Sequence, residues 1–316
     1  MAKADVVLAP LSDLIAGDSA ASIPWLSIVG IGEDGADGLS AAARQIVQGA
    51  EIVFGGKRHL ALAAPLIRGT ARPWPARFDG AMQEVLAQRG RAVCVLASGD
   101  PYVYGIGSVL ARHVHPSEIQ ALPAPSAFSL AAARLGWALP ETAQLSLHAR
   151  ALDLVRPHLH PGTRVLALTS DGKAPAALAR LLRDVGFGPS RVTVLEALGG
   201  PRERVRSTSA ALFDLDPVDD LNVVAIEVTA QPGAARVIAR AAGLSDALFE
   251  HDGQITKREV RAITLSSLAP RRGELLWDIG AGAGSVAIEW MLADPSLRAI
   301  AVEQRAERAA RIRRNA

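Results

Sequence analysis

The residues with the clearest chemical meaning lie near the C-terminal end, where Leu275-Leu276-Trp277-Asp278-Ile279 runs into Gly280-Ala281-Gly282-Ala283-Gly284 and then into a helical pattern. A strand that empties into glycines and a helix brings backbone N–H groups close to a ligand, because glycine tolerates positive φ and carries no Cβ. The order is Asp-x-Gly-x-Gly-x-Gly, not the Gly-x-Gly-x-x-Gly of dinucleotide sites. An acid ending the strand suits a ligand with its own ammonium group, and S-adenosylmethionine is such a ligand. About 20 residues beyond the loop, Glu303 ends the next apolar run, where a carboxylate can accept from both ribose hydroxyls.

Two more loops stand out in the N-terminal part: Val29-Gly30-Ile31-Gly32-Glu33-Asp34-Gly35 and Ala97-Ser98-Gly99-Asp100-Pro101-Tyr102-Val103-Tyr104-Gly105. Both follow apolar runs and so fall at carboxyl ends of strands, where open α/β sheets bind ligands. Asp100 could take a cation or a hydroxyl, although Gly-Asp-Pro by itself is also simply a good turn.

Other residues carry weaker signals. His113 with His115, and His158 with His160, would each share a face if extended, but no cysteine or acid stands at ligand spacing, so no metal site is expected. Cys94 lies inside an apolar strand pattern and reads as a small buried hydrophobe. The run Arg305, Arg308, Arg311, Arg313 and Arg314 reads as a solvated helix face rather than an RNA surface. Trp74, between two prolines, is either a loop anchor or a substrate contact.

Elements must hold these loops in place. Short β-branched runs alternate with Ala/Leu-rich stretches, the pattern of an α/β fold with a mostly parallel sheet. Strands are expected at 26–31, 51–54 and 92–97, with a helix at 41–48 capped by Ser40 and closed by a left-handed Gly49. A second set, at 144–149, 164–169, 191–198, 202–206 and 222–228, has hairpin-like spacing. Leu122-Pro123-Ala124-Pro125 separates the two sets and marks a lobe junction with a cleft.

The domain plan is a tail at 1–22, a two-lobed unit at 23–230 (lobes about 23–122 and 123–230), a linker at 231–247, and a C-terminal unit at 248–316. That last unit is expected to contain a helix at 256–268, strands at 274–279 and 299–302, and helices at 285–292 and 305–315. Two strands do not bury both faces of a doubly wound sheet, so the expectation is the N-terminal part of a Rossmann-like domain with little activity of its own.

Composition narrows the class. The chain has 316 residues, 49% apolar and 21% charged, enough to bury sizeable cores. Lys plus Arg number 34 against 32 Asp plus Glu, a formal charge of +2, which gives no bulk attraction to nucleic acid. A single cysteine leaves no internal disulfide framework. No signal peptide is readable, and no apolar run reaches the roughly 20 residues of a membrane span, so a soluble cytoplasmic protein is expected.

Four segments together resemble a known family: the loop at 29–35, Gly55-Gly56-Lys57-Arg58-His59-Leu60, Ser98-Gly99-Asp100-Pro101 with Tyr104-Gly105, and Pro123-Ala124-Pro125-Ser126-Ala127. They look like a tetrapyrrole methylase over about 25–228. Gly253-Gln254-Ile255-Thr256-Lys257-Arg258-Glu259-Val260-Arg261 and the glycine loop resemble the class I methyltransferase fused behind it in the cobalamin pathway.

The resemblance implies an acidic tetrapyrrole substrate. It would be methylated at meso carbons 5 and 15 and decarboxylated at the acetate on carbon 12, with S-adenosylmethionine as donor. Gly99, Asp100, Val103, Tyr104, Ser126 and Ala127 would hold one donor molecule, and Gly30 and Gly32 would border the substrate mouth. Thr256, Asp278, the loop Gly280, Ala281, Gly282, Ala283 and Gly284, and Glu303 would hold another. Arg58, His59, Lys257 and Arg258 are candidates to pair with the substrate's carboxylates. The resemblance also implies a homo-oligomer, while the charge balance and the lack of a long apolar run give no nucleic-acid or membrane partner to expect. The rival readings are an RNA or diphthamide-pathway methyltransferase of the same fold, and a non-catalytic S-adenosylmethionine-binding remnant.

Overall fold

The computed structural model describes residues 24–75 and 78–316; the expected tail at 1–22 lies outside the described residues. The first lobe carries five parallel strands, β1 (Leu26–Ile31), β2 (Ile52–Gly55), β3 (Thr70–Pro73), β4 (Val93–Ser98) and β5 (Ile119–Leu122), in the order β3-β2-β4-β1-β5. Helices α1 (Ala41–Gly49), α2 (Lys57–Ala63), α3 (Phe78–Leu86) and α4 (Ile106–Leu110) accompany them. Because side chains alternate across a strand, Leu26, Ile28, Val93 and Val95 enter one core while Val29, Ile31, Cys94 and Leu96 enter the other. This double burial is why the central strands are continuously apolar.

Ser40 caps α1 by accepting from the Ala43 N–H at 3.2 Å, as its position predicts. Gly49 does not close that helix in a left-handed turn. It is the last helical residue, and the cap is Ala50 with φ −71°, because the chain leaves the helix in extended conformation toward β2. Two strands were not expected from the sequence. β3 and β5 are short sheet edges, one carrying Arg72 and Pro73 and the other Gln120, and edges need no apolar alternation.

Cys94 is fully buried, and burial pushes its thiol up to about 12. It is the chain's single cysteine. We expect a thiol-exchange reagent at pH 8 to leave the native protein unlabelled and to react only as the first lobe unfolds. Fast labelling of folded protein would contradict this packing.

The second lobe contains α5 (Ala127–Leu135), β6 (Thr142–Ser146), β7 (Arg164–Leu168), α6 (Ala174–Asp184), β8 (Arg191–Glu196), β9 (Arg204–Ser209) and β10 (Asn222–Glu227). Its sheet order is β6-β7-β10-β8-β9, with only β6 and β7 parallel. The first strand of this set ends at Ser146 instead of reaching 149, since Ala149 turns the chain at φ 55°. Glu196 is buried beneath β9 and accepts from Arg204, Arg206 and the Asp219 N–H. Burial alone would raise its carboxyl, but those donors and the two charges hold it below the usual range.

The C-terminal unit is α7 (Arg258–Leu268), β11 (Leu275–Ile279), α8 (Ser285–Ala293), β12 (Arg298–Val302) and α9 (Ala306–Asn315), with β11 and β12 parallel. One face of this ribbon packs Leu276 and Ala299 on Leu265, Trp290 and Leu297. The other face presents Trp277 and Ile279, 61% and 78% exposed. The polar stretch 249–253 is held by α9: Asp252 pairs with Arg308 at 2.8 Å and Arg311 at 3.2 Å, and Glu250 pairs with Arg314 at 2.9 Å. The arginine run is therefore not a solvated face throughout. Arg308 and Arg311 are only 15% and 18% exposed, because Asp252 draws them inward.

Candidate functional site

Between the two lobes lies a cavity of 720 Å³. It opens at the carboxyl ends of β1 and β4, neighbouring strands whose outgoing connections run in opposite directions along the sheet, to β2 and to β5. Such a divergence leaves a crevice for a ligand. The first lobe contributes Gly32 and Glu33 after β1, Arg58 and His59 from α2, Trp74 after β3, and the loop after β4. The second lobe closes the other side with His148, Thr169, Ser170, Leu198 and Asn222.

Gly99, Asp100, Val103, Tyr104, Ser126 and Ala127 all line this one cavity. Gly99 adopts φ 52°, and a Cβ there would come within 2.6 Å of the Pro125 carbonyl, so the loop lies flat against the interlobe crossing. Asp100 is partly occupied as a turn former, accepting from the Tyr102 N–H at 2.8 Å. Ser126 is buried and caps α5, accepting from the Ser129 N–H at 3.0 Å. Tyr104 is a non-glycine residue at φ 54°, a conformation that costs of order 1–3 kcal/mol and clusters at functional sites. Its hydroxyl donates to the Gln144 carbonyl at 3.1 Å and so ties the two lobes.

Gly30 is not at the mouth. It is buried behind the loops, where a Cβ would collide with the Gly99 carbonyl and come within 2.6 Å of the Ala124 nitrogen. Gly32 does reach the cavity. His59 Nε2 lies 2.8 Å from Ser98 Oγ and 3.0 Å from Arg58 Nη2. Burial, reinforced by the Arg58 charge, pushes its imidazole down to about 4. The ring is thus neutral near pH 7 and can accept from a guanidinium.

Lys257 and Arg258 do not join this cavity. Lys257 precedes α7 and sits 3.9 Å from Asp246 in the C-terminal unit. There the glycine loop takes positive φ at Gly280, Gly282 and Gly284, with Gly284 capping α8 against Ile312. Glu303 accepts from the Gly282 N–H at 2.9 Å and from the Arg305 N–H at 2.9 Å, bonds that hold its carboxyl below the ordinary range. Asp278 is half-buried, and desolvation raises its carboxyl. A cation beside it would relieve that cost, which fits an ammonium-bearing ligand. Ala281 and Ala283 complete the turn, and the Ala283 carbonyl accepts from Asn315 Nδ2 at 2.9 Å. Thr256 is exposed, and its carbonyl accepts from Arg261.

Several site residues carried no signal in the sequence. In the sequence Glu33 is only one residue of a loop, yet it is paired with Arg58 and lies 3.5 Å from Arg202 of the second lobe. Thr169 donates to Asn222 Oδ1 at 2.6 Å in the second-lobe wall. The available clue was position, since both stand at strand termini. Trp74 stacks on Phe54 with centroids 5.7 Å apart, an anchor for its loop, and it also lines the cavity. The paired histidines serve turns: His115 Nδ1 accepts from the Ser117 N–H, and the carbonyls of His158 and His160 accept from Thr163.

A parallel lobe and a mixed lobe joined by a Pro-rich crossing, with an apolar cavity at the sheet's switch point, define a two-lobed α/β fold with a cavity between its lobes. Residues 26–213 match the family model described as tetrapyrrole (corrin/porphyrin) methylases, and residues 247–316 match a precorrin methyltransferase domain. The chain belongs to the tetrapyrrole methylase family and is a methyltransferase.

It is 59% identical to a precorrin-6Y C(5,15)-methyltransferase (decarboxylating) from Sinorhizobium sp, a match covering 97% of this chain and 74% of that protein. A cobalt-precorrin-7 C(5)-methyltransferase of Salmonella typhimurium is 29% identical over 202 residues, which cover 64% of this chain and 98% of that one. The crystal structure of a cobalamin-biosynthesis precorrin-6Y methylase from Archaeoglobus fulgidus aligns with TM-score 0.50 and 29% identity, covering 65% of this chain and 98% of that one. Among the described residues, no helix is long and apolar enough to cross a membrane.

Proposed function

We propose that this methyltransferase converts precorrin-6Y by methylation at carbons 5 and 15 and decarboxylation of the carbon-12 acetate, using S-adenosylmethionine. The observation that carries the reading is the pairing of the interlobe cavity with a separate strand-glycine-helix site, Asp278 to Gly284 with Glu303. Two methyl transfers plus a decarboxylation call for two sites. The match to the C(5)-methyltransferase is 202 residues long, more than the segment 247–316 contains, so it rests chiefly on the two-lobed unit. Carbon 5 is accordingly assigned to the cavity, and carbon 15 with the decarboxylation to the C-terminal unit.

When bound, S-adenosylmethionine supplies a methyl already activated on sulfonium. The chain's task is then to orient and desolvate, a positioning effect of several kcal/mol. Leu96, Val103, Ile106, Val109 and Phe128 keep the cavity wall apolar, and the Gly99 and Pro125 backbones form its floor. The meso carbon gains the methyl and gives up its proton. In the decarboxylation the electron pair of the broken carbon–carbon bond passes into the conjugated ring, and a proton replaces the lost carbon dioxide. A cytoplasmic homo-oligomer belongs to the same proposal.

The test is mass spectrometry of precorrin-6Y (precorrin-6B) incubated with the purified chain and methyl-labelled S-adenosylmethionine, followed by NMR assignment of the label. Label on carbon 5 supports the assignment of the cavity. Label confined to carbon 15, or no mass change at all, contradicts it.

A further inference from the structure

The cavity is poorly prepared for an acid. Among the described residues that line it, three carboxylates, Glu33, Asp100 and Asp220, face one guanidinium, Arg58, and no lysine. Arg58 is moreover already paired with Glu33. The other Arg58 nitrogen, Nη2, donates to Ser98 Oγ at 3.0 Å and to His59 Nε2 at 3.0 Å, so the guanidinium is held in place from two sides. Glu33 is only 10% exposed. Its second oxygen lies 3.5 Å from Arg202, on the second-lobe loop that follows β8. That loop presses directly on Glu33: a Cβ on Gly200 would be 2.5 Å from the Glu33 Cβ. Arg202 also holds Asp219 and is 60% exposed, outside the cavity lining.

A polycarboxylate macrocycle cannot use Arg58 while Glu33 neutralises it, yet the guanidinium is fixed and aimed at the cavity. We propose that Glu33 is an exchangeable internal carboxylate: a peripheral carboxylate of the tetrapyrrole replaces it on Arg58, and Glu33 passes to Arg202, drawing the second lobe onto the substrate. The exchange conserves charge, since Glu33 moves from one guanidinium to another while the incoming carboxylate takes over the first. Glu33 thereby acts as a specificity residue, because a ligand without a carboxylate at that position leaves the original pair intact. The inference rests on the reading of the substrate as an acidic tetrapyrrole.

The test titrates uroporphyrin III, an eight-carboxylate tetrapyrrole, by fluorescence into the full chain and into E33Q, R58Q and R202Q, with S-adenosylhomocysteine affinity measured in parallel. E33Q removes the competing anion with an isosteric side chain and should tighten uroporphyrin binding about tenfold, the scale of one charge-assisted hydrogen bond. R58Q should weaken it about tenfold or more. R202Q should weaken it about threefold, because Glu33 loses its second partner and stays on Arg58. If S-adenosylhomocysteine affinity instead moves in step with uroporphyrin affinity in all three variants, the cavity as a whole is disturbed and the exchange is refuted. If the unmodified chain binds uroporphyrin and E33Q binds it equally or more weakly, the exchange is refuted while the substrate class stands. If the unmodified chain does not bind it, both fall.

Discussion

Replacing Arg261 with methionine should destabilise the C-terminal unit by about 3–5 kcal/mol, the cost of leaving one member of a buried ion pair uncompensated. Arg261 is fully buried. Its Nε donates to Glu289 at 2.7 Å, Nη1 donates to Asp246 at 2.8 Å and to the Thr256 carbonyl, and Nη2 donates to the Leu244 carbonyl. The guanidinium also lies 4.9 Å above the Phe249 ring. Glu289, buried opposite, accepts from the Gly243 and Leu244 N–H groups at 2.7 and 3.0 Å. This one residue therefore fastens the stretch 243–256 to α7 and α8. Hydrogen exchange should show fast exchange over 243–316 in the variant with the two-lobed unit unchanged.

Substituting both partners, Arg261→Met with Glu289→Met, should recover part of the loss, since the Glu289 charge is no longer stranded, although the Gly243 and Leu244 N–H groups lose their acceptor. If the single variant keeps its protection, the network is not what holds the unit together. The same unit should be acid-labile. Hydrogen bonds from Arg261 lower the Asp246 carboxyl, hydrogen bonds from Arg308 and the Gln254 N–H lower that of Asp252, and the Arg305 and Gly282 N–H groups lower that of Glu303. A carboxyl depressed by folding stabilises above its unfolded value and loses that contribution as pH falls below it, so protection over 243–316 should decline below about pH 4.

The sequence showed the loops and central strands better than the contacts between them. Leu26–Ile31, Val93–Ser98 and Asn222–Glu227 are strongly apolar because both sheet faces are covered, and burial writes itself into residue type. β3 and β5 have an uncovered side and therefore no such signature. The loop after β4 is recognisable because its glycine and proline meet local backbone demands. Glu33 and Asn222 enter the site, and Arg202 reaches Glu33 from outside it, through tertiary position alone, at sequence separations that local pattern does not encode. Arg261 was closer to legible: it stands four residues before Leu265 on the buried face of α7, and an arginine on an apolar stripe requires a buried partner. Glu289, between Ile288 and Trp290 in α8, is that partner.

Gly30→Val should lower carbon-5 methylation about 100-fold in kcat/KM, the loss that a misplacement of about 1 Å produces in a positioned reaction. The residue lies at the point where three backbone segments meet. The Gly99 N–H donates to the Ile31 carbonyl at 3.1 Å, the Ala124 N–H donates to the Gly99 carbonyl at 3.2 Å, and Gly30 packs beneath both. Any side chain there is driven into backbone, and neither neighbour can rotate away, so the loop carrying Asp100 and Tyr104 must lift from the crossing that carries Ser126. Gly32 provides the contrast, because a Cβ there meets only the end of the Asp34 side chain at 2.6 Å, which can turn aside. Gly32→Ala should therefore cost less than tenfold. Labelled-methyl product analysis should show carbon 5 losing its label in Gly30→Val while incorporation at carbon 15 keeps the rate of the unmodified chain. Equal losses at both carbons would mean that the cavity serves both transfers, and an unchanged carbon-5 rate would remove the cavity from the chemistry altogether.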